Sequence, residues 1–142
     1  VLVSHQFYLP SGTIADQITL KSPDISAEQI EKALKTAGLW ESVNALEKGW
    51  DTPYKPGLFS QGQLQLLSIA RAVAAEPAIL LLDEITANLD SVTEKKVLAA
   101  LQEASKRRTV ISISHRLYQQ AGGRRFRVDG KKGGWESEDM LN

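Results

Sequence analysis

Two short apolar runs in this sequence end in residues that can do chemistry. Ala78–Leu82 leads directly into Asp83 and Glu84, and Thr109–Ser114 leads into His115. In open α/β sheets, ligands bind beyond the carboxyl ends of the strands. An Asp–Glu pair there suits a hydrated Mg²⁺ and a base for an attacking water. A His at the neighbouring strand end can donate to a phosphate oxygen. A strand-end acidic pair that merely caps the next turn accounts for the same residues. A third group, Phe59-Ser60-Gln61-Gly62-Gln63, stands at the head of a predicted helix. A helix N-terminus presents N–H groups and partial positive charge, so it attracts phosphate. Ser60 adds a hydroxyl, and Gly62 lets the backbone approach closely. Taken alone, the same residues also form an ordinary capping box.

The elements that would position these residues are legible in outline. Ser60 and Gln63 make a capping-box pattern ahead of a helix over Leu64–Ala75. Leu66, Ile69, Ala70 and Val73 fall on one face of it, and Pro77 closes it. The continuous apolar run Ala78–Leu82 predicts a strand buried on both faces of a parallel sheet. Ser91 and Glu94 predict the cap of a third long helix, with Val97, Leu98, Leu101 and Ala104 inward. The β-branched Thr109–Ser114 reads as a second buried strand, which completes a βαβ unit. Upstream, Val1–Val3 reads as the tail of a strand and Ser4–Ser11 as loop. Ser26 and Gln29 cap a helix to Ala37, with Ile30, Ala33, Leu34 and Ala37 on one face and Gly38 ending it. A short helix is expected over Leu39–Leu46 and a loop over Gly49–Gly57. Near the end, Phe126 and Val128 alternate with Arg125 and Arg127, and Asp129-Gly130 offers a hairpin turn.

Composition excludes several classes. The 142 residues amount to about one domain. Lys plus Arg is 17 and Asp plus Glu is 17, so net charge is zero, which argues against a nucleic-acid partner. With no Cys there is neither disulfide nor thiolate–zinc site, and His5 and His115 stand without a second ligand at metal spacing. The longest aliphatic run, Ala78–Leu82, is far too short to cross a bilayer. No repeat or low-complexity tract is visible. The chain opens on Val rather than Met without a signal peptide, which predicts a piece of something longer.

Taken in order, Ser60-Gln61-Gly62-Gln63, Ile69-Ala70-Arg71-Ala72, Ile79–Glu84, Ala87-Asn88-Leu89-Asp90 and Ser114-His115-Arg116-Leu117 resemble the C-terminal part of an ATP-binding-cassette (ABC) transporter ATPase domain. The resemblance covers about Val3–Leu117, and several motifs in fixed order make it specific. It implies an α/β, P-loop NTPase-like fold: part of a RecA-like parallel sheet plus a helical, signature-bearing subdomain. Residues 14–75 would form that subdomain. Residues 1–13 and 78–142 would belong to the RecA-like core, with the C-terminal hairpin.

The resemblance also implies roles. Phe59–Gln63 resembles the LSGGQ signature, so Ser60, Gln61, Gly62 and Gln63 would contact the γ-phosphate of ATP held by a partner. Asp83 matches the Walker B aspartate, which binds Mg²⁺ through water. Glu84 matches the catalytic glutamate that acts on the attacking water. Asp90 matches the D-loop aspartate at the dimer interface, and His115 the switch histidine on the γ-phosphate. Ser11-Gly12-Thr13-Ile14, with Ile18, resembles the segment after the Q-loop in exporters. The implied cofactors are ATP and Mg²⁺. The implied partners are a second ABC ATPase domain, identical or not, and a transmembrane domain, with this part on the cytoplasmic face of the membrane.

The sequence also departs from the family pattern. The usual Q-loop glutamine position falls on His5, with Gln6 beside it. Gln61 replaces a signature glycine, and Leu64 and Leu66 stand where the family often has Arg or Lys. The loop before the signature, Thr52–Gly57, lacks the glutamate usual in exporters. No segment fits Gly, four residues, then Gly-Lys-Ser/Thr: Gly130-Lys131 is followed by Lys132, and Lys21-Ser22 and Lys35-Thr36 lack the preceding Gly. Without a P-loop nothing cradles the β- and γ-phosphates, so the chain alone is expected to bind ATP weakly. The rival readings are a non-hydrolysing half-domain that completes a partner's ATP site, and a soluble ABC protein of DNA repair or translation. Gln63, where the latter usually have Glu, and the exporter-like Ser11–Ile14 count against the second. The basic cluster Arg124, Arg125, Arg127, Lys131 and Lys132 reads as a solvated hairpin, and Trp40, Trp50 and Trp135 as packing at element edges.

Overall fold

A computed structural model describes residues 2–3, 11–83, 89–113, 123–129 and 134–140, with residues 2–3, 113, 123–129 and 134–140 described by backbone alone. The element order is β1 (Leu2–Val3), α1 (Ile14–Thr19), α2 (Ala27–Thr36), α3 (Trp40–Asn44), a 3₁₀ turn (Gly49–Asp51), α4 (Gln61–Ala74), β2 (Ile79–Asp83), α5 (Ser91–Ser105), β3 (Thr109–Ile113), β4 (Gly123–Asp129) and β5 (Gly134–Met140).

Capping chemistry sets the helix starts. Ser26 and Gln29 form the expected reciprocal box: the Ser26 hydroxyl accepts from Gln29 N at 3.3 Å and Gln29 Oε1 accepts from Ser26 N at 2.8 Å. Gly38, with φ of +72°, ends α2 by taking the left-handed turn that a side chain would resist. The apolar face Ile30, Ala33, Leu34 and Ala37 is buried as its spacing demands. One helix adds to the sequence expectation. Thr13 and Asp16 form a capping box that starts α1, whose six residues are too few to display a period. The α5 cap also differs from expectation. Asp90, not Ser91 with Glu94, caps that helix, because its carboxylate accepts from both Val92 N and Thr93 N. Of its predicted inward face, Val97 and Ala104 are buried; Ala100 joins them, and Leu98 and Leu101 are only partly covered.

Helix α4 is the centre of the molecule. It packs against α1, α2, α5 and β1, and Leu67, Ile69, Ala70 and Ala72 are almost wholly buried. A helix touched on so many sides buries residues beyond the single face predicted for it, Gln65 and Ser68 among them. The core is one cluster that includes Ile14, Leu34, Leu67, Leu80 and Val97. Trp40 and Trp50 meet at its margin with ring centroids 6.0 Å apart, and Lys35 Nζ lies 5.1 Å from the Trp40 ring centroid.

The sheet is parallel, in the order β1-β2-β3, with Leu2 opposite Leu81 and Asp83 opposite Ile113. The crossover through α5 is the expected βαβ unit. Its burial corrects the expectation of a strand covered on both faces. Leu80 and Leu82 are buried, whereas Ile79, Leu81 and Ile111 are 50%, 40% and 52% exposed. Among the described residues, the helices cover the face that carries Leu80 and Leu82, while the face that carries Ile79, Leu81 and Ile111 is apolar and exposed. Strands β4 and β5 form the expected antiparallel hairpin, with Arg124, Arg125 and Arg127 in register with Asp139, Glu138 and Glu136. The register thus sets three of the five basic positions opposite acidic ones. The turn residues 130–133 lie outside the described residues.

Candidate functional site

The head of α4 is organised by its own side chains. Ser60 Oγ accepts from Gln63 N at 3.2 Å, and Gln63 Oε1 accepts from Ser60 N at 3.0 Å. Leu64 N donates to Ser60 O at 2.9 Å and closes the first helical turn. This box satisfies two backbone donors and leaves two. The N–H groups of Gln61 and Gly62 have no partner among the described residues. Two adjacent N–H groups at a helix head, next to a hydroxyl whose proton is not spent on the cap, are donors of the kind that phosphate takes, and Gly62 is the buried one of the pair. The capping box and the anion site are therefore not competing readings: the box uses Ser60 as an acceptor, and an anion would use it as a donor. Gln61 is exposed, so its side chain stands in solvent at the mouth of this donor set.

Phe59, just before the cap, is buried and stacks on Tyr54 with centroids 6.5 Å apart and planes 30° apart. Tyr54 in turn belongs to a segment tied back to α1. Thr13 and Pro53 form an antiparallel bridge, Ile14 N donates to Thr52 O at 3.1 Å, and Tyr54 N donates to Gly12 O at 2.8 Å. The Ser11–Ile14 segment and the Thr52–Gly57 loop, separate in the sequence, are thus one structural unit.

At the other edge of α4, its N-terminus meets that of α5. Asp90 Oδ1 accepts from Val92 N at 3.1 Å and Thr93 N at 2.9 Å, and Asp90 Oδ2 accepts from the Thr93 hydroxyl at 2.6 Å. The Thr93 hydroxyl, then its N–H, holds the Asp90 carboxyl below the usual carboxylate range. Thr93 also touches the signature-like segment: a Cβ placed on Gly62 would collide with Thr93 Cγ2. Sequence reasoning does not single out this residue. Its signal is the Asp90-x-x-Thr93 spacing, which is a cap and its N3 partner.

Asp83 is the last residue of β2 and is exposed at the carboxyl end of the sheet. The predicted Glu84, His115, His5 and Gln6 lie outside the described residues. Among the described residues no group of three or more His, Cys, Asp or Glu is gathered to hold a metal ion. Asp83 offers an exposed carboxylate at the strand end, the kind of oxygen ligand that Mg²⁺ takes. No helix among the described residues is long and apolar enough to cross a membrane.

Comparison with known proteins gives the family. Residues 1–87 match the protein family described as ABC transporter. The chain is 44% identical over 120 residues to the ABC multidrug transporter mdr1 of Aspergillus fumigatus, covering 82% of this chain and 9% of that protein. It is 44% identical over 112 residues to the uncharacterized ABC transporter ATP-binding protein YfiC of Bacillus subtilis, covering 78% of this chain and 18% of that protein. It is 40% identical over 118 residues to YknV of the same organism, named likewise, covering 82% and 20%. The chain therefore spans about a tenth to a fifth of the length of these relatives.

Proposed function

We propose, from the premise that this chain belongs to the ABC transporter family, that it is part of the ATP-binding and ATP-hydrolysing domain of an exporter. Family membership supports ATP binding and transport. The exporter assignment rests on the Ser11–Ile14 segment and on relatives named as multidrug transporters. The single observation that carries the mechanism is the head of α4, where Gln61 N–H, Gly62 N–H and the Ser60 hydroxyl stand together.

In this reading that head docks on the γ-phosphate of ATP bound by a second ABC ATPase domain. The donors are fixed before the anion arrives, so the dock costs little reorganisation. Asp83 would hold Mg²⁺ through water, and the ion would offset phosphate charge. Glu84 would take a proton from the attacking water, and His115 would donate to the γ-phosphate. Asp90, at the neighbouring helix head, would face the partner domain; His5 and Gln6 would belong to the Q-loop. ATP would drive closure because it binds the closed pair better than the open one. A transmembrane domain, with this part at the cytoplasmic face, would use that closure for transport. Residues 14–75 would act as the helical signature subdomain, and residues 1–13 and 78–142 as part of the RecA-like core.

A second reading is supported by the lack of any Gly-x₄-Gly-Lys-Ser/Thr segment in these 142 residues. In it the chain is a non-hydrolysing half-domain that only completes a partner's site. The full reading frame separates the two: a P-loop encoded upstream supports the first.

The first test is calorimetry of MgATP with this chain and with the complete domain. The expected result is no detectable binding by the chain and roughly micromolar binding by the complete domain, because the phosphate cradle is absent here. Tight binding by the chain alone would overturn the account. In the complete transporter Glu84→Gln should abolish steady-state hydrolysis while sparing ATP binding; normal turnover would remove Glu84 from the mechanism.

A further inference from the structure

We propose that Thr93 is a positioning residue that locks the head of α4 to the head of α5, so that Ser60–Gln63 and Asp90 present themselves to a partner as one unit. The proposal rests on the reading of Ser60–Gln63 as nucleotide contacts. Three contacts of a single side chain and its backbone carry it. The Thr93 hydroxyl donates to Asp90 Oδ2 at 2.6 Å, and Thr93 N donates to Asp90 Oδ1 at 2.9 Å. The γ-methyl faces Gly62 so closely that any Cβ at position 62 would collide with it.

These contacts are geometrically coupled. A threonine carries its hydroxyl and methyl on the same carbon, so fixing one fixes the other. The bond to Asp90 sets χ1 and thereby aims the methyl at Gly62. Neither Ser nor Val can do both: Ser lacks the methyl, and Val lacks the hydroxyl. Gly62 then has a second reason to be glycine. Besides admitting an anion to its N–H, it lets α5 approach α4 at the helix heads. A shift of Asp90 turns the Thr93 side chain and presses on, or withdraws from, the backbone whose N–H groups would meet the phosphate.

The test is a four-protein cycle in the full transporter reconstituted in lipid nanodiscs: wild type, Gly62→Ala, Thr93→Ser and the double variant. Gly62→Ala should lower kcat at least about tenfold while KM for ATP stays within about twofold, since closure is impaired and nucleotide capture is not. Thr93→Ser keeps the bond to Asp90 and removes the obstructing carbon. In the double variant the methyl added at position 62 takes the space that the Thr93 methyl leaves, so the contact between the helix heads is kept and most of the lost kcat should return. Melting temperatures of the same four proteins read the contact without the chemistry and should recover in parallel. A double variant as slow as Gly62→Ala would mean that the new methyl obstructs the nucleotide rather than Thr93, and would overturn the proposal. Recovery of melting temperature without recovery of kcat would reduce Thr93 to a packing residue and overturn the positioning role. A wild type without ATPase activity, or normal turnover by Glu84→Gln, would overturn the site assignment itself and the positioning role with it.

Discussion

Replacing Ser60 by Ala removes a cap that the structure shows and a phosphate contact that the proposed function adds. As a cap, Ser60 accepts one backbone N–H at 3.2 Å. As a ligand, in the proposed function, it donates its proton to phosphate. Ser26 is a matched control: it accepts the equivalent N–H of α2 at 3.3 Å, with the same reciprocal glutamine, and has no part in the site. Loss of either cap should cost about 1 kcal/mol, which for a complete ATP-binding domain is about 2–4 °C in melting temperature. Only Ser60→Ala should also lose a hydrogen bond to a charged group, worth roughly 1.5–3 kcal/mol. That corresponds to a fall of roughly tenfold to a hundredfold in kcat/KM for ATP. Ser60→Thr, which keeps acceptor and donor, should restore most of both. Melting curves and steady-state phosphate release on the three variants decide it. Equal ATPase in Ser26→Ala and Ser60→Ala, at equal loss of stability, would refute the idea that the α4 head meets phosphate through this hydroxyl.

Other outcomes follow from the same geometry. Leu67→Ala, at a wholly buried position of α4, should destabilise the domain by about 2–5 kcal/mol, read by urea unfolding. Because its bonds to Thr93 depress the Asp90 pKa in the folded protein, ionised Asp90 stabilises α5 above its unfolded pKa; the benefit disappears as pH falls through the depressed value. Wild type and Asp90→Asn should therefore differ in melting temperature at neutral pH and converge well below about pH 4; a difference that persists in strong acid would contradict this.

The parts of the fold that rest on local chemistry are legible in the sequence. The two Ser-x-x-Gln boxes start α2 and α4 where the pattern puts them, because a cap and its N3 partner are neighbours along the chain. The cap of α5 stands one residue from its expected place, since Asp90 and Ser91 both have capping side chains and only the arrangement of N–H donors selects the carboxylate. Helix α1 leaves no periodic signal because six residues are too few for one. What depends on distant partners is not legible. The Thr13–Pro53 bridge joins segments 40 residues apart, and the Thr93–Gly62 contact joins two helices. For the proposed site, residue types point to the donor groups at Ser60–Gln63 and the carboxylate at Asp83. They do not reveal that the capping box leaves two particular N–H groups unspent.

The open face of the sheet has a consequence for handling the chain. Ile79, Leu81 and Ile111 sit side by side on adjacent parallel strands, half out of the protein, and parallel strands are ordinarily shielded on both sides. Such a patch attracts other copies as readily as a proper covering layer. Produced by itself, the chain should therefore stain with hydrophobic dyes while folded and self-associate as concentration rises, without any loss of helix content. Lys or Glu at positions 79 and 111 should suppress both effects and leave the helical core untouched, which would mark poor solubility here as a property of this surface and not of misfolding.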